Sequence, residues 1–192
     1  MIANIYKNCY HKPIGSDCMI KEIKIELTEE CHRQCIHCSS DAKKKNFSHL
    51  PFSIVQKIID EAKELHVEKI VFTGGEATLY PQIKEAVAYA KENGMDVTLY
   101  SMCDPTKENI NLLKELKNMG LKEIIYSLSY QLTRDHVITL EKLKDFFQQI
   151  LSVVDLPLGF HYVITKETYQ DIDKIVDFCF SLTWRKTYEI RS

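Results

Sequence analysis

In the run "PFSIVQKIIDEAKELH", residues 51–66, the apolar positions Ile54, Val55, Ile58, Ile59, Ala62 and Leu65 recur at helical spacing with Pro51 near the start. This predicts an amphipathic helix. Before it, "IKEIKIELT" reads as a strand near 22–28. After it, "EKIVFTGG" reads as a short buried-type strand, "PQIKEAVAYAKENG" as a helix stopped by Gly94, and "MDVTLYS" as a further strand. The alternation continues with "KENINLLKELKNMG" as a helix ending at Gly120, "LKEIIYSLS" as a strand, "LEKLKDFFQQILSVV" as a helix, "LPLGFHYVIT" as a strand and "QDIDKIVDFCFSL" as a helix. Five strand–helix units joined by short loops, with no low-complexity linker, predict an α/β fold. Its sheet is parallel with helices outside it, wound right-handed, either open or part of a barrel. The tail "TWRKTYEIRS" is expected to start a sixth strand, after which the chain stops. The expected division is therefore an N-terminal extension over 1–21 and a core domain over 22–192 that is incomplete at its C-terminus. Within the helices, Glu61, Lys63 and Glu64 are expected on a solvated outer face, Phe146 and Phe147 in packing, and Cys179 in the core.

Composition narrows the class. At 192 residues the chain is about one domain long, and 45% apolar content suffices for a real core. The formal net charge of −2 arises from 25 basic and 27 acidic residues mixed along the chain, with only the short "KKK" at 43–45 as a run of one sign. Nothing in that balance argues for nucleic acid or a membrane surface. No run approaches the apolar length of a bilayer crossing, and "MIANIYKNCYHKPIG" lacks the order of a secretory signal, so a cytoplasmic protein is expected. Seven cysteines, three of them crowded together, fit reduced thiols and metal or redox chemistry better than disulfides.

In this architecture function gathers at the C-terminal ends of the strands, and the unusual residues fall there. Cys31, Cys35 and Cys38 of "CHRQCIHC" follow the first strand, Gly74, Gly75 and Glu76 the second, and Ser101 and Cys103 the third, while Ser127 and Ser129 close the fourth. Three cysteines in one loop support two metals. Zinc would need His32 or His37 to complete a Cys3His set. An iron–sulfur cluster accepts three thiolates from one loop because each takes a different iron, leaving one iron for a small molecule. The spacing ranks the cluster ahead of zinc, and zinc ahead of incidental thiols.

C-x3-C-x2-C after the first strand, followed by "GGEA" at the end of the second, resembles the radical S-adenosylmethionine (SAM) superfamily over about residues 22–182. The resemblance implies a partial (β/α) barrel of five to six parallel strand–helix units. It implies that Cys31, Cys35 and Cys38 hold a 4Fe-4S cluster whose free iron chelates SAM. Reductive cleavage would then give methionine and a 5'-deoxyadenosyl radical that abstracts hydrogen from substrate. Gly74 and Gly75 are expected to let the backbone approach the methionine, and the carbonyls there and the Glu76 carboxylate to accept from its ammonium. His37 stands where the family commonly has an aromatic residue near the adenine, and Ser127 matches a serine that contacts SAM. An electron donor such as flavodoxin or ferredoxin is the implied partner.

The departures bear on substrate. "SLSY" places Ser129 where an aspartate is often found, and "SMC" replaces a common T-N-G, so the third loop is expected to serve a different or relaxed substrate. Cys103 is read as an ordinary loop thiol, with a hydrogen-atom donor as the rival. Val163 is read as strand core, His136 and His161 as structural histidines, and Cys9, Cys18 and His11 stay unassigned. No cysteine follows Cys179, where peptide-modifying members often carry an extension for auxiliary clusters. Three readings stay open: an enzyme acting on a peptide or other bulky substrate, an activase that places a glycyl radical on a partner, and a truncated, non-catalytic metal-binding domain.

Overall fold

The structure is a computed structural model and describes residues 20–33, 35–38, 40, 42, 45–128 and 139–183. Cys9, His11, Cys18, Ser129, His136 and the proposed sixth strand beyond 183 lie outside the described residues.

Five strands, β1 (Glu22–Glu26), β2 (Lys69–Thr73), β3 (Asp96–Ser101), β4 (Leu121–Ser127) and β5 (Leu158–His161), pair in parallel in the order of the sequence. The connecting helices are α1 (Phe52–Glu64), α2 (Ile83–Glu92), α3 (Lys107–Met119) and α4 (Leu140–Gln149), and α5 (Ile172–Thr183) follows β5. A sheet whose strand order never reverses, with right-handed crossovers throughout, sends every connection to the same face. It is a stretch of barrel wall, not a doubly wound sheet.

Alternation along the strands therefore sorts residues between helices and interior. Ile23, Ile25, Ile70, Phe72, Val97, Leu99, Ile124 and Tyr126 are buried in one apolar core with Val55, Ile59, Val87, Leu113 and Phe147 of the helices. The other face carries Glu22, Lys24 and Glu26 from β1, beside Lys69 and Thr73, Thr98 and Tyr100, Glu123 and Ser127, and His161. Lys69 Nζ lies 3.2 Å from Glu22 and 3.9 Å from Glu123, whose carboxylate also accepts from the Thr98 hydroxyl at 3.3 Å. Lys24 Nζ stands 5.2 Å from the centre of the Tyr100 ring, which meets His161 edge-on at 6.3 Å.

Several expectations shift. On α1 only Val55, Ile59 and Ala62 are fully buried, while Ile54 and Leu65 are exposed at the margins of the apolar stripe. The fourth helix relaxes into a π turn over Ile150–Val154 before Asp155 turns left-handed (φ 54°). β5 ends at His161, earlier than the apolar run suggests. There the buried Thr168 hydroxyl donates to the Val163 carbonyl at 2.9 Å and accepts from the Thr165 N–H at 2.8 Å, curling the chain out of the sheet. Val163 is accordingly a half-buried loop residue rather than strand core. Phe146 and Phe147 pack around Tyr126 as expected, and the partly buried Cys179 rests against the same core.

Candidate functional site

The chain beyond β1 continues alongside the loop that follows β2, in the same direction. Leu27 N–H donates to the Thr73 carbonyl (2.9 Å), Gly75 N–H to that of Thr28 (2.7 Å), and Glu76 N–H to that of Glu30 (2.8 Å). The two backbones lie so close that side chains have no room. A Cβ on Gly74, whose φ is +142°, would sit 2.5 Å from the Thr28 oxygen, and one on Gly75 would sit 2.3 Å from the Glu30 oxygen. The glycines are thus required by the cysteine loop itself, a protein contact beyond the ligand approach expected from sequence. Among the described residues no protein donor reaches the carbonyl of Gly74 or Gly75.

Glu76 also differs from expectation. Its carboxylate is 2% exposed and already engaged: Oε1 accepts from the Thr78 N–H (3.1 Å), the Thr78 hydroxyl (2.8 Å) and the Ser101 hydroxyl (2.7 Å), and Oε2 from the Met102 N–H (2.8 Å). A carboxylate offers about four such positions. Glu76 caps the 3₁₀ turn over Ala77–Leu79 and ties the second loop to the third. Ser101 in turn accepts from the Cys103 N–H at 2.9 Å, and the Tyr126 hydroxyl donates to the Cys103 carbonyl at 2.9 Å. "SMC" is therefore a structural splice between loops, and Cys103 is a fully buried thiol whose ionisation is strongly opposed by burial and by the Glu76 carboxylate.

Cys31, Cys35, His37 and Cys38 share one open cleft of about 370 Å³ with Gly74, Gly75, Glu76, Ser127, Tyr100, His161 and Val163. Each of the eight site residues named from sequence lines it. The Arg33 N–H donates to Cys31 Sγ and the Ala42 N–H to Cys38 Sγ, both at 3.4 Å. Burial pushes the Cys31 thiol up to about 11, with further contributions from Glu76, Cys35 and Cys38. Such a donor set fits a cationic group that replaces water around the sulfurs, because N–H donors at sulfur and a positive core both favour thiolate. Among the described residues no three of His, Cys, Asp or Glu converge closely enough for a single metal ion. His37 Nδ1 is buried with no partner among the described residues, and burial and the nearby His161 hold the ring below the usual histidine range. His161 is exposed in the cleft, so its interior placement replaces the structural role expected of it.

Sequence reasoning missed Arg33, Glu26, Ser40 and Tyr100, which also line the cleft. Arg33 was in plain view inside the cysteine motif. Its partner, Asp104, is far along the chain.

The family model of the radical SAM superfamily matches residues 25–179. Among curated proteins, the tungsten-containing aldehyde ferredoxin oxidoreductase cofactor-modifying protein of Pyrococcus furiosus is 23% identical over 85% of this chain and 49% of its own length. The Fe-coproporphyrin III synthase of Methanosarcina barkeri is 28% identical over 79% of this chain and 39% of its own. The chain thus spans half or less of the length of these relatives. Among solved structures, Streptococcus suis SuiB bound to the precursor peptide SuiA shares the fold with a TM-score of 0.65 at 20% identity, over 85% of this chain and 37% of SuiB. A match across most of the chain decides the family: the protein belongs to the radical SAM superfamily, whose cofactors are a 4Fe-4S cluster and SAM.

Proposed function

We propose that Cys31, Cys35 and Cys38 hold the cluster, and that the enzyme cleaves SAM reductively and acts on a peptide or other bulky substrate in the cytoplasm. When bound, the reduced cluster supplies the electron that splits SAM into methionine and a 5'-deoxyadenosyl radical, which takes a hydrogen atom from substrate. The observation carrying this reading is that the cysteine loop lies backbone to backbone on the Gly74–Gly75 loop, bringing three thiols and two unclaimed carbonyls to one cleft. Those carbonyls accept from the ammonium group of the methionine moiety, with Glu76 holding the loop in place from behind. His37 offers a neutral ring and an open nitrogen to the adenine, and Ser127 a hydroxyl at the end of β4. Zinc is the weaker reading because a tetrahedral ion wants four ligands, so His32 or His37 would have to join the three thiols within one tight loop.

Support for a large substrate comes from the open cleft reaching Tyr100 and His161 at the interior face of the sheet. The electron reaches the site from a small donor protein such as flavodoxin or ferredoxin. Anaerobic reconstitution with iron and sulfide, followed by electron paramagnetic resonance with and without SAM and an assay for 5'-deoxyadenosine, tests the reading. A 4Fe-4S signal perturbed by SAM together with deoxyadenosine formation is expected. Cys35→Ala should abolish both while leaving the helical circular dichroism of the apoprotein unchanged. Deoxyadenosine from that variant, or a protein that retains zinc and no cluster, would sink the assignment.

A further inference from the structure

Asp104, in the loop after β3, receives two side chains from the cysteine loop. Arg33 Nη2 donates to its Oδ1, and His32 Nε2 lies 3.3 Å from its Oδ2. Arg33 is 4% exposed and lines the cleft beside the three cysteines, whereas Asp104 is 41% exposed. Asp104 is held from its own side by Asn109 Nδ2, which donates to its carbonyl at 2.8 Å. Cys103, its neighbour, is fixed through Ser101 to Glu76. The ion pair thus joins the first rim loop to the splice already connecting the second and third. An ion pair between a buried arginine and a half-exposed carboxylate adds little net stability, because desolvation of the guanidinium offsets an attraction that solvent screens at Asp104. Stability alone does not account for a buried arginine lining the cleft of the three cysteines.

We propose that Arg33 and Asp104 are a positioning pair that seats the cysteine loop over β3 and balances the charge felt by the group that Cys31, Cys35 and Cys38 hold, thereby setting its reduction potential. The proposal rests on the ligand assignment above. Adding an electron to a buried centre is favoured by a nearby cation and opposed by a nearby anion, and both effects grow as the dielectric falls. In the intact pair the two offset each other. Removing either charge exposes the other.

The consequence is a pair of shifts of opposite sign. Asp104→Asn keeps a hydrogen-bonding oxygen facing Arg33 but removes a negative charge from beside the cysteine loop, and the midpoint potential rises. Arg33→Met leaves the carboxylate, and the potential falls. Arg33→Lys keeps the charge without the fork, so its potential lies between those of wild type and Arg33→Met. The experiment reconstitutes the wild-type chain and the three variants anaerobically, measures iron and sulfide per chain, and follows the reduced signal by potentiometry with electron paramagnetic resonance. Opposed shifts uphold the proposal. If Arg33→Met does not fold, a raised potential in Asp104→Asn with wild-type circular dichroism upholds it alone. Wild-type potentials in all variants, shifts of one sign, or failure of Asp104→Asn to fold would overturn it, the last because the pair would then be purely structural. A wild-type chain that loads no cluster overturns the ligand assignment and this proposal with it, whereas a loaded wild type with indifferent variants overturns this proposal alone.

Discussion

On the helix side of the sheet one hydrogen-bonded row reads Ile25, Phe72, Leu99, Ile124, all fully buried. One residue back along each strand, the row facing the interior reads Lys24, Val71, Thr98, Glu123. The same backbone serves both. The helix side is where burial of apolar area holds the domain together, at roughly 25 cal/mol per Å². The interior side mixes buried Val71 and Thr98 with part-exposed charges that pair with one another. Stability and chemistry are thus weighted to opposite faces, and the two meet at the rim loops.

That contrast can be broken by substitution. Phe72→Ala should cost about 3–5 kcal/mol in urea unfolding of the apoprotein, since it empties a fully packed position on the helix side. A loss under 1 kcal/mol would mean that the core sits elsewhere. At the rim, Gly75→Ala should cost about 1–3 kcal/mol, because its Cβ meets the Glu30 carbonyl and the cysteine loop must move. Iron loading should fall with it. Unchanged loading would show that the two loops tolerate separation. On the interior side, Lys24→Met should change stability by less than about 1 kcal/mol, its ammonium being part-exposed near Glu22 and the Tyr100 ring. A loss comparable to that of Phe72→Ala would erase the distinction between the faces.

Much of this was legible in the sequence because period and punctuation are local. Helical spacing, strand runs and the glycines at 94 and 120 placed the five strands and five α-helices of the described residues near where they stand. The rim motifs predicted which residues would share a cleft, since strand ends in a parallel sheet must lie together. What escaped needed atoms rather than letters. "GGEA" does not say that the glycines are spent on Thr28 and Glu30, nor that the Glu76 oxygens face Ser101 and Met102. Ile54 and Leu65 fit a helical stripe equally well buried or at its margin, and only the packing of α1 decides. The apolar letters of "LPLGFHYVIT" hide the Thr168 hydroxyl that ends the strand from seven residues beyond it. Arg33 and Asp104 are 71 positions apart, and no pattern within either neighbourhood announces the other.

The absence of side chains between the cysteine loop and the Gly74–Gly75 loop has a bearing on how such a protein can diversify. Two main chains in direct contact leave no variable positions at their seam, so neither can drift without the other. Novelty must then accumulate on the interior strand positions, where Tyr100 and His161 can be exchanged without disturbing that seam. A lineage built this way keeps its ignition fixed while remaining free to change what it burns.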